Sequence, residues 1–470
     1  MNARRIAFLM SSIVVACGDV DGAEAPIEAP IGARPLIDVD PAADRIEVSL
    51  VAGPAKWTYL PGKAAADVWA YRDDNDPADL GQIPGPAIVG RVGDHVTVHF
   101  RSELPEPTTI HWHGLRVAAS HDGSNVSQSP VEPGGAFTYE FTLTDAGTFW
   151  FHPHLDGDVQ IERGLYAPII VRGDDEVGAD ADRLLVLDDV KLESTGALST
   201  TITSLDLMVG RQGNVLLVNG ARQPRLDAAV GARERWRLLN TANGTYFNVA
   251  LPGRSLRVIA WDGGLLPEPY EADSLLIAPG ERYELLVDLD GVEGDEIELR
   301  TLHYDRGHEL PDLGPRTLAT FVLGPPPTHP RPDAPARWGT VAPLPDTATR
   351  REFVLREEEP ADPSAEPRFY INDEAFPLTT PVISNQGDLE IWELRNDAEM
   401  DHPFHLHGTF FQVLDAPHLG WKDTVNVPMK STVRFAVRLD NPGEWMFHCH
   451  ILEHAERGMM GVLHVLEASP

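Results

Sequence analysis

Cysteine is almost absent from this chain of 470 residues, since only Cys17 and Cys449 occur. Two cysteines so far apart exclude the dense disulfide framework of a small secreted domain. Inside the chain, no run approaches the roughly 18 unbroken apolar residues that a membrane-spanning helix needs. With 42% hydrophobic residues, 40 Gly and 40 Pro, the composition also excludes a disordered or collagenous chain and predicts a globular protein of two to four domains.

Basic residues are scarce relative to acidic ones. The chain has 38 lysines and arginines but 72 aspartates and glutamates, so its formal net charge is −34. This charge disfavours nucleic acid and anionic membrane surfaces as partners and favours cations. The alternative is that the charge mainly keeps an exported protein soluble.

The N-terminus has the pattern of an export signal. Two arginines precede an apolar run over residues 6–16, which gives a positive region and a signal-peptide core of the usual length. Residues 14–18, Val-Val-Ala-Cys-Gly, resemble a bacterial lipobox, and ordinary cleavage after Ala16 is the alternative. We therefore assign residues 1–17 to a signal peptide with a lipobox. An exported periplasmic or cell-envelope lipoprotein is expected, attached to the membrane through a lipidated Cys17.

Short alternating runs dominate the rest of the chain. Apolar residues alternate with polar ones at Ile46, Val48 and Leu50, and the period of two returns at residues 137–143 and 433–439. This period is typical of half-buried β-strands. The Pro-Gly turns between the runs favour antiparallel sandwiches or barrels.

Two breaks divide the chain into three segments of ordinary domain size. The first break is an acidic loop at residues 173–182, and the second is a stiff, Pro-rich linker that begins at residue 324. The predicted order after the signal peptide is a flexible acidic tether at 18–44, a first domain at 45–175, a second at 180–323, the linker at 324–345 and a third domain at 346–470.

Histidines occur in pairs separated by one residue. The 18 histidines would give roughly 0.7 such pairs by chance when the pattern is counted. The chain has four pairs, which are His111-Trp-His113, His152-Pro-His154, His405-Leu-His407 and His448-Cys-His450. Residues two apart in a strand point to the same face, so each pair can present two imidazoles to one site. One pair alone is usually a surface or core feature, but four pairs split between the two ends of the chain predict a common metal cluster.

Cys449 indicates a second metal site. Alternation sends its side chain to the face opposite its two histidine neighbours, and a lone thiol in an oxidising compartment is expected to have a function such as metal ligation. His402, His454 and Met459 are the further ligand candidates. Two imidazoles, a thiolate and an axial Met form the ligand set of blue-copper electron transfer. Zinc is the rival metal, and Met459 could instead be a core residue.

These motifs resemble the four signatures of the multicopper oxidases, over nearly the whole mature chain. They are His111-Trp-His-Gly114, Trp150-Phe-His-Pro-His154, His402-Pro-Phe-His-Leu-His-Gly408 and His448-Cys-His-Ile-Leu-Glu-His454 through Met459. Further matching stretches are Asn219-Gly220, Trp261-Asp-Gly-Gly264, Ala278-Pro-Gly-Glu-Arg282 and Gly420-Trp-Lys-Asp-Thr-Val425. Three-domain bacterial laccases and copper-efflux oxidases are the most similar members. The resemblance implies an all-β fold of three cupredoxin-like Greek-key β-sandwich domains and four copper ions.

The resemblance also implies which residues hold each copper ion. The type 1 copper would be held by His402, Cys449, His454 and Met459. The type 2 copper would be held by His111 and His405. The type 3 pair would be held by His113, His152, His154, His407, His448 and His450. The three copper ions of types 2 and 3 would then lie between the first and third domains.

The family activity implies one-electron oxidation of a small reducing substrate coupled to the four-electron reduction of dioxygen to water. Phenols or similar aromatic donors are expected, as for a laccase. The alternative is a metallo-oxidase of Cu(I), Fe(II) or Mn(II) in copper tolerance, although the chain has only 8 Met and no Met-rich insertion. A non-catalytic envelope protein of the same fold is the alternative from another class, but such proteins lose ligand positions that this chain retains.

Dioxygen reduction consumes protons, so acidic residues near the cluster are expected to matter. Asp122 matches the family's acidic residue between its first two signatures, and an ordinary turn aspartate is the other interpretation. Many bacterial relatives carry an acidic residue directly after the last type 1 histidine, where this chain has Ala455 followed by Glu456. We expect Asp122 and Glu456 to supply protons.

Overall fold

A computed structural model describes residues 28–174, 177–335, 338–360, 362 and 365–468 of the chain. The predicted signal peptide, the lipobox with Cys17 and the first ten residues of the predicted tether lie outside the described residues. Within the described ranges, every helix is too short or too polar to cross a membrane.

The first segment contains two four-stranded sheets, with strand orders β2-β1-β4-β6 and β3-β8-β7-β5. Alternation places Ile46, Val48 and Leu50 on the buried face of β1, as predicted. The strands are β1 (Arg45–Trp57), β2 (Ala66–Asp73), β3 (Ile88–Arg91), β4 (His95–Ser102), β5 (His111–His113), β6 (Ala136–Thr142), β7 (Gly147–His152) and β8 (Ala167–Arg172). A 3₁₀ turn at Ala119–His121 follows β5, and helix α1 (Gly157–Gln160) follows β7.

The second segment contains a six-stranded and a five-stranded sheet, ordered β10-β9-β12-β17-β14-β15 and β11-β19-β18-β13-β16. Its strands are β9 (Ala181–Val190), β10 (Val215–Val218), β11 (Arg225–Ala229), β12 (Arg233–Asn240), β13 (Phe247–Ala250), β14 (Leu256–Trp261), β15 (Gly264–Ala272), β16 (Leu275–Ile277), β17 (Arg282–Asp288), β18 (Glu296–Leu302) and β19 (Arg316–Gly324). Helix α2 (Ser204–Val209) lies between β9 and β10. It begins with a capping box, in which Thr203 and Asp206 each accept a hydrogen bond from the other's backbone N–H.

The third segment contains two five-stranded sheets, ordered β21-β20-β23-β27-β25 and β22-β29-β28-β24-β26. Its strands are β20 (Thr349–Glu358), β21 (Arg368–Ile371), β22 (Val382–Asn385), β23 (Leu389–Asn396), β24 (His402–Leu406), β25 (Phe411–Val413), β26 (Thr424–Val427), β27 (Thr432–Arg438), β28 (Gly443–Cys449) and β29 (Met460–Leu466). Helix α3 (Leu452–Glu456) connects β28 to β29.

The three segments repeat one architecture. In each of them the first strand pairs in parallel with a later strand of its sheet, as β1 does with β4, β9 with β12 and β20 with β23. Each segment also has its own core of large buried residues, which include Trp112, Trp236 and Trp392 respectively. The predicted all-β class of cupredoxin-like sandwiches is confirmed, whereas the residue numbers of the domain boundaries stay a prediction.

Residues 28–44 differ from the flexible tether that the composition predicts. The Ile31 N–H donates to the Asp182 carbonyl at 2.8 Å, and the Leu36 N–H donates to the Ala87 carbonyl at 2.8 Å. Leu36 is also buried in the core of the first segment. This stretch is held in place because it has backbone partners on both neighbouring segments, which composition alone does not reveal.

Candidate metal centre

The four His-x-His pairs come together in one buried cluster between the first and third segments. Strands β5 and β7 are neighbours and place His111 opposite His152. Strands β24 and β28 are neighbours in the third segment and place His405 opposite His448. The rings of His111 and His407 stack with their centroids 3.8 Å apart. Two pairs of strands from opposite ends of the chain therefore supply one site.

Hydrogen bonds at one ring nitrogen determine which nitrogen faces the centre of the cluster. The Nδ1 atom of His152 lies 2.9 Å from the backbone carbonyl oxygen of Pro153. The Nδ1 atom of His405 lies 2.9 Å from the backbone carbonyl oxygen of Asp423. Among the described residues, the buried Nε2 atoms of His111, His152 and His405 have no hydrogen-bond partner. A buried polar atom without a partner is costly unless a ligand satisfies it. Metal-binding histidines are oriented through their second nitrogen in this way.

The ligand atoms are also close enough to share metal ions. Three groups of histidines each bring their nitrogens within 4.8 Å of one another, namely His111 with His405 and His407, His111 with His113 and His152, and His154 with His407 and His448. The Nε2 atoms of His154 and His407 both lie 3.2 Å from Nε2 of His448. Imidazole nitrogens bind metals at about 2.0 Å, so these spacings suit shared ions. The donor set fits copper, for which imidazole is a favoured ligand.

Burial keeps several imidazoles of this cluster neutral. It lowers the pKa of His448 to about 3. It also lowers the pKa of His152, His154 and His450 well below the usual value, and neighbouring imidazoles add to the shift. A neutral imidazole has a free lone pair for a metal. The cluster can therefore bind metal near neutral pH without first losing protons.

A second ligand group lies on the other face of β28. The Cys449 Sγ atom is 3.5 Å from Nδ1 of His402 and 3.7 Å from Nδ1 of His454, and these two nitrogens are 3.2 Å apart. Met459 is fully buried in the same core as Cys449, and its carbonyl accepts a hydrogen bond from the Cys449 N–H at 3.0 Å. Burial raises the pKa of the Cys449 thiol, and a bound cation would reverse that shift. The group fits one copper ion with two imidazoles and a thiolate.

The side of His454 that faces away from Cys449 is covered by two elements. The Phe369 ring stacks on the His454 ring with centroids 3.9 Å apart. The His454 Nε2 atom lies 3.0 Å from the carbonyl oxygen of Met208, at the end of α2. Helix α2 therefore lies between this ligand group and the surface.

Of the two acidic residues predicted to supply protons, Asp122 contacts the cluster. Its Oδ2 atom lies 3.0 Å from Nδ1 of His407, and its Oδ1 atom lies 3.2 Å from Nδ1 of His111. Burial alone would raise the pKa of Asp122, but His407 and His111 outweigh it and hold the pKa well below its usual range. The Glu456 side chain turns towards α1, where its Oε1 atom accepts a hydrogen bond from the Gly157 N–H at 2.8 Å.

Asp423 belongs to the site although the sequence indicated no role for it. Its Oδ1 atom lies 3.2 Å from Nε2 of His113, and its backbone carbonyl contacts His405. Arg282 of the second segment donates to both carboxylate oxygens, at 2.7 and 2.5 Å. A side chain on Gly114 would come within 2.4 Å of the Arg282 guanidinium, so the glycine leaves room for this ion pair. The partners are 141 residues apart, and no local spacing could have revealed the contact.

Glu453 is a second residue that the sequence analysis missed. It is 2% exposed and precedes His454. Its Oε1 atom accepts a hydrogen bond from the Asn243 amide at 3.0 Å, and its Oε2 atom has no hydrogen-bond partner within the described ranges. Burial raises the pKa of Glu453 to about 7. Its place beside a predicted ligand was visible in the sequence, but its burial was not.

Comparison with known proteins gives consistent matches. Models of the multicopper oxidase family match residues 78–176, 188–295 and 344–469. The multicopper oxidase MmcO of Mycobacterium tuberculosis is 32% identical over 426 residues, which cover 80% of each chain.

Two solved structures extend the comparison. A multicopper oxidase of Campylobacter jejuni, described as a metallo-oxidase, is 25% identical with a TM-score of 0.82, covering 94% of this chain and 96% of its own. The laccase-like CueO of the lignin-degrading bacterium Ochrobactrum sp. is 28% identical with a TM-score of 0.78, covering 93% of this chain and 100% of its own. That protein has oxidase activity towards lignin model compounds and lignosulfonate.

Proposed function

The chain belongs to the multicopper oxidase family, and from this premise we propose that its donors are phenols or similar aromatic molecules and that it holds four copper ions. It is an oxidase that takes electrons from small molecules and uses dioxygen as the acceptor. Bound copper supplies the reversible one-electron chemistry that amino-acid side chains lack. The protein supplies the ligands, their orientation and the surrounding hydrogen bonds.

The proposed ligand sets follow the two groups described above. The type 1 ion is assigned to His402, Cys449, His454 and Met459. The other three ions are assigned to the paired histidines, with His111 and His405 for the type 2 ion and His113, His152, His154, His407, His448 and His450 for the type 3 pair. The observation that carries the proposal is the position of Cys449 between His448 and His450. Cys449, the last residue of β28, presents a thiol to one ligand group, and its neighbours His448 and His450 present imidazoles to the other. The two groups are therefore covalently joined.

The chain's own acidic residues have two proposed roles. Asp122 orients His407 and His111 through its carboxylate, which its 3.0 Å contact with His407 supports. As an ionised carboxylate it accepts protons and passes them on towards the cluster. Glu456 is proposed as an outer proton donor. Its hydrogen bond to Gly157 places it at the start of α1, three residues after His154.

The surroundings of His454 favour an organic donor. Helix α2 and the residue before its cap expose apolar side chains, with Ile202 42% and Leu205 59% exposed. Met208 is the only methionine of this helix, whereas Cu(I) prefers several soft sulfur ligands. An apolar surface on the helix that contacts His454 suits an aromatic ring better than a metal ion.

A metallo-oxidase of Cu(I), Fe(II) or Mn(II) is the second candidate. The net charge of −34 attracts cations, and the similar Campylobacter jejuni protein is described as a metallo-oxidase.

Oxygen uptake by the copper-loaded protein distinguishes the candidates. The protein without residues 1–17 is given 2,6-dimethoxyphenol, Cu(I) or Fe(II) under matched conditions, and the enzyme-free autoxidation is subtracted. The Cys449→Ser variant is the control for the loss of the type 1 ligand group. We expect the highest kcat/KM with the phenol. A higher kcat/KM with a metal ion would replace the laccase assignment with metal homeostasis, and no uptake from any donor at full copper content would contradict both.

Export and lipidation are proposed on the N-terminal sequence alone. Mass spectrometry of the mature protein from a bacterial host should find an N-terminal Cys17 carrying lipid. The Cys17→Ser variant should lack the modification. A mature N-terminus without lipid in the wild type would contradict this proposal.

A further inference from the structure

A small cavity lies beside the type 1 ligand group, and its most buried charged group is an arginine. The cavity measures about 80 Å³ and is lined by residues that include Tyr246, Arg306, Leu310, Leu313 and Arg316. Arg306 is only 2% exposed. Among the described residues, its Nη1 and Nη2 atoms have no hydrogen-bond partner. We call this space the Arg306 cavity.

Within the described ranges, no carboxylate forms an ion pair with Arg306. Burial lowers its pKa, while Tyr246 and the carboxylates of Asp189 and Asp401 favour the charged form from a distance. The Arg306 guanidinium also lies over the Tyr246 ring, at 5.4 Å from its centroid. A guanidinium remains protonated in proteins, and burying it without hydrogen bonds is costly. A ligand that restores those bonds would therefore gain affinity.

The complementary group is a carboxylate. Its two oxygens can accept parallel hydrogen bonds from the two free guanidinium nitrogens, a geometry that adds strength and specificity. Asp189 also lines the cavity, but its Oδ2 atom already accepts hydrogen bonds from Thr245 at 2.6 Å and from the Gly213 N–H at 2.5 Å. Arg316 adds a second positive charge to the wall. A volume of about 80 Å³ exceeds the roughly 10–15 Å³ that one water requires, so a carboxylate with its adjoining carbon can enter.

Three apolar residues line the outer part of the cavity, beside the exposed His303. Leu313 is 61% exposed, Pro311 is exposed and Leu310 is half-buried. A cationic interior with apolar side chains at the rim suits a molecule that carries a carboxylate at one end and a hydrophobic ring at the other.

The cavity is connected directly to the type 1 ligand group. The Asp401 N–H donates to the Arg306 carbonyl at 2.8 Å, and Asp401 immediately precedes His402. Tyr246 belongs to the same packed core as Cys449 and Met459. The wall of the cavity is therefore linked through Arg306 and Asp401 to His402, one of the ligands that are proposed to accept the donor's electrons.

We propose that the Arg306 cavity binds the carboxylate of an aromatic donor and that Arg306 is a specificity residue for phenolic acids. This inference rests on the proposed oxidation of phenols and narrows it to anionic phenols. Arg306 holds the donor and takes no part in the electron transfer.

The first test measures binding without any oxidation. Calorimetry on the copper-loaded protein compares 3-phenylpropanoate with 3-phenylpropanamide, neither of which carries an oxidisable phenol. We expect the wild type to bind the acid at least about tenfold more tightly, because only the carboxylate can accept paired, charge-assisted hydrogen bonds from the guanidinium. Arg306→Gln should abolish this preference. Arg225→Gln, which removes an exposed arginine of the same segment, should preserve it.

The second test measures specificity in turnover. The donors are 3-(4-hydroxy-3,5-dimethoxyphenyl)propanoate and its methyl ester. Two saturated carbons separate the phenol ring from the carboxyl group in both compounds, so the two phenols are equally oxidisable. Arg306→Gln should lower kcat/KM for the acid by about tenfold or more and change the value for the ester less than about twofold. Arg306→Lys, which keeps the charge but loses the paired donors, should have an intermediate effect on the acid.

The outcomes separate this inference from the proposed function. Equal binding of the acid and the amide by the wild type would overturn the inference, even if Arg306→Gln failed to fold. An equal loss for acid and ester in Arg306→Gln would also overturn it, since Arg306 would then act on the ligand group and not on the donor. If the ester is not oxidised by the wild type but 3-phenylpropanoate still binds through Arg306, the proposed function fails and the carboxylate site stands.

Discussion

The imidazole rings of His113 and His405 stack face to face, with centroids 3.8 Å apart and planes inclined by 8°. One ring comes from β5 of the first segment and the other from β24 of the third. Asp423 contacts both residues, and Arg282 of the second segment holds Asp423 by an ion pair. All three segments therefore meet at this stack, and the geometry of the histidine cluster depends on contacts from each of them.

Arg282→Gln should destabilise the protein and loosen copper binding. Arg282 is 1% exposed, and its loss leaves Asp423 buried without its counter-charge. Breaking a buried ion pair typically costs 3–5 kcal/mol of unfolding free energy. We expect a lower unfolding temperature and a copper content reduced by at least one ion, measured by scanning calorimetry and elemental analysis.

Arg225→Gln is the matched control for that experiment. Its ion pair with Glu296 is exposed, with side-chain exposures of 59% and 52%. Exposed pairs contribute about 0–1 kcal/mol, so the unfolding temperature and copper content should change little. Equal effects of the two substitutions would show that the Arg282 pair has no special role.

Cys449→Ser should remove the type 1 copper and leave the histidine cluster loaded. A hydroxyl is a poor ligand for copper compared with a thiolate, whereas the histidine cluster keeps all its nitrogens. The blue absorption of the copper-thiolate bond should disappear, the copper content should fall by about one ion, and turnover should fall by about 100-fold or more. Unchanged colour and turnover would contradict the assignment of Cys449 as a copper ligand.

Removing copper should lower the unfolding temperature. Both metal-binding groups consist of buried side chains from separate elements. An ion that binds only the folded state stabilises the protein by about 4 kcal/mol at a free concentration of a thousand times its Kd. Chelation followed by calorimetry should show a decrease of about 5 °C or more, which added copper restores. The same unfolding temperature with and without copper would argue against metal binding at both groups.

Asp188→Asn should alter how stability depends on pH. Burial, with a contribution from Asp189, raises the pKa of Asp188 to about 7. Its usual value in an unfolded chain is about 3.9, so the wild type should lose stability as pH rises from about 4 to about 7. The amide cannot ionise, and it can still accept the hydrogen bond that the Tyr166 hydroxyl donates to Asp188 at 2.5 Å.

Urea unfolding of both proteins at pH 5 and pH 8 measures this effect. The variant should gain stability relative to the wild type between these values, by up to about 3 kcal/mol, since one pKa unit corresponds to 1.36 kcal/mol and the pKa of Asp188 in the folded protein lies about two units above pH 5. Glu193→Gln, at an exposed position of the same segment, should leave the pH dependence unchanged. A constant difference between wild type and Asp188→Asn at the two pH values would contradict the assignment.

Much of the fold and the ligand candidates could be predicted because the relevant patterns are local. Alternation over two residues placed Ile46, Val48 and Leu50 on one face of a strand, and the structure has them buried. The same alternation in β28 separated Cys449 from its two histidine neighbours. A period of two follows from the pleat of the strand, so it needs no knowledge of distant residues.

The remaining features depend on packing between distant parts of the chain. Asp122 and His407 are 285 residues apart, yet their side chains are 3.0 Å apart. The contact of Arg282 with Asp423, the burial of Glu453 and the unpartnered guanidinium of Arg306 likewise have no counterpart in local spacing.

The sequence by itself determined the strand class, the paired histidines and the thiol between them, because each is set by residue type and short-range periodicity. The tertiary structure alone decided which carboxylates touch the histidines, which residues of the predicted tether are packed, and where a buried charge lies open to a cavity. Burial and long-range hydrogen bonding arise only when separate sheets pack together, and these control the pKa values, the ligand orientation and the donor site.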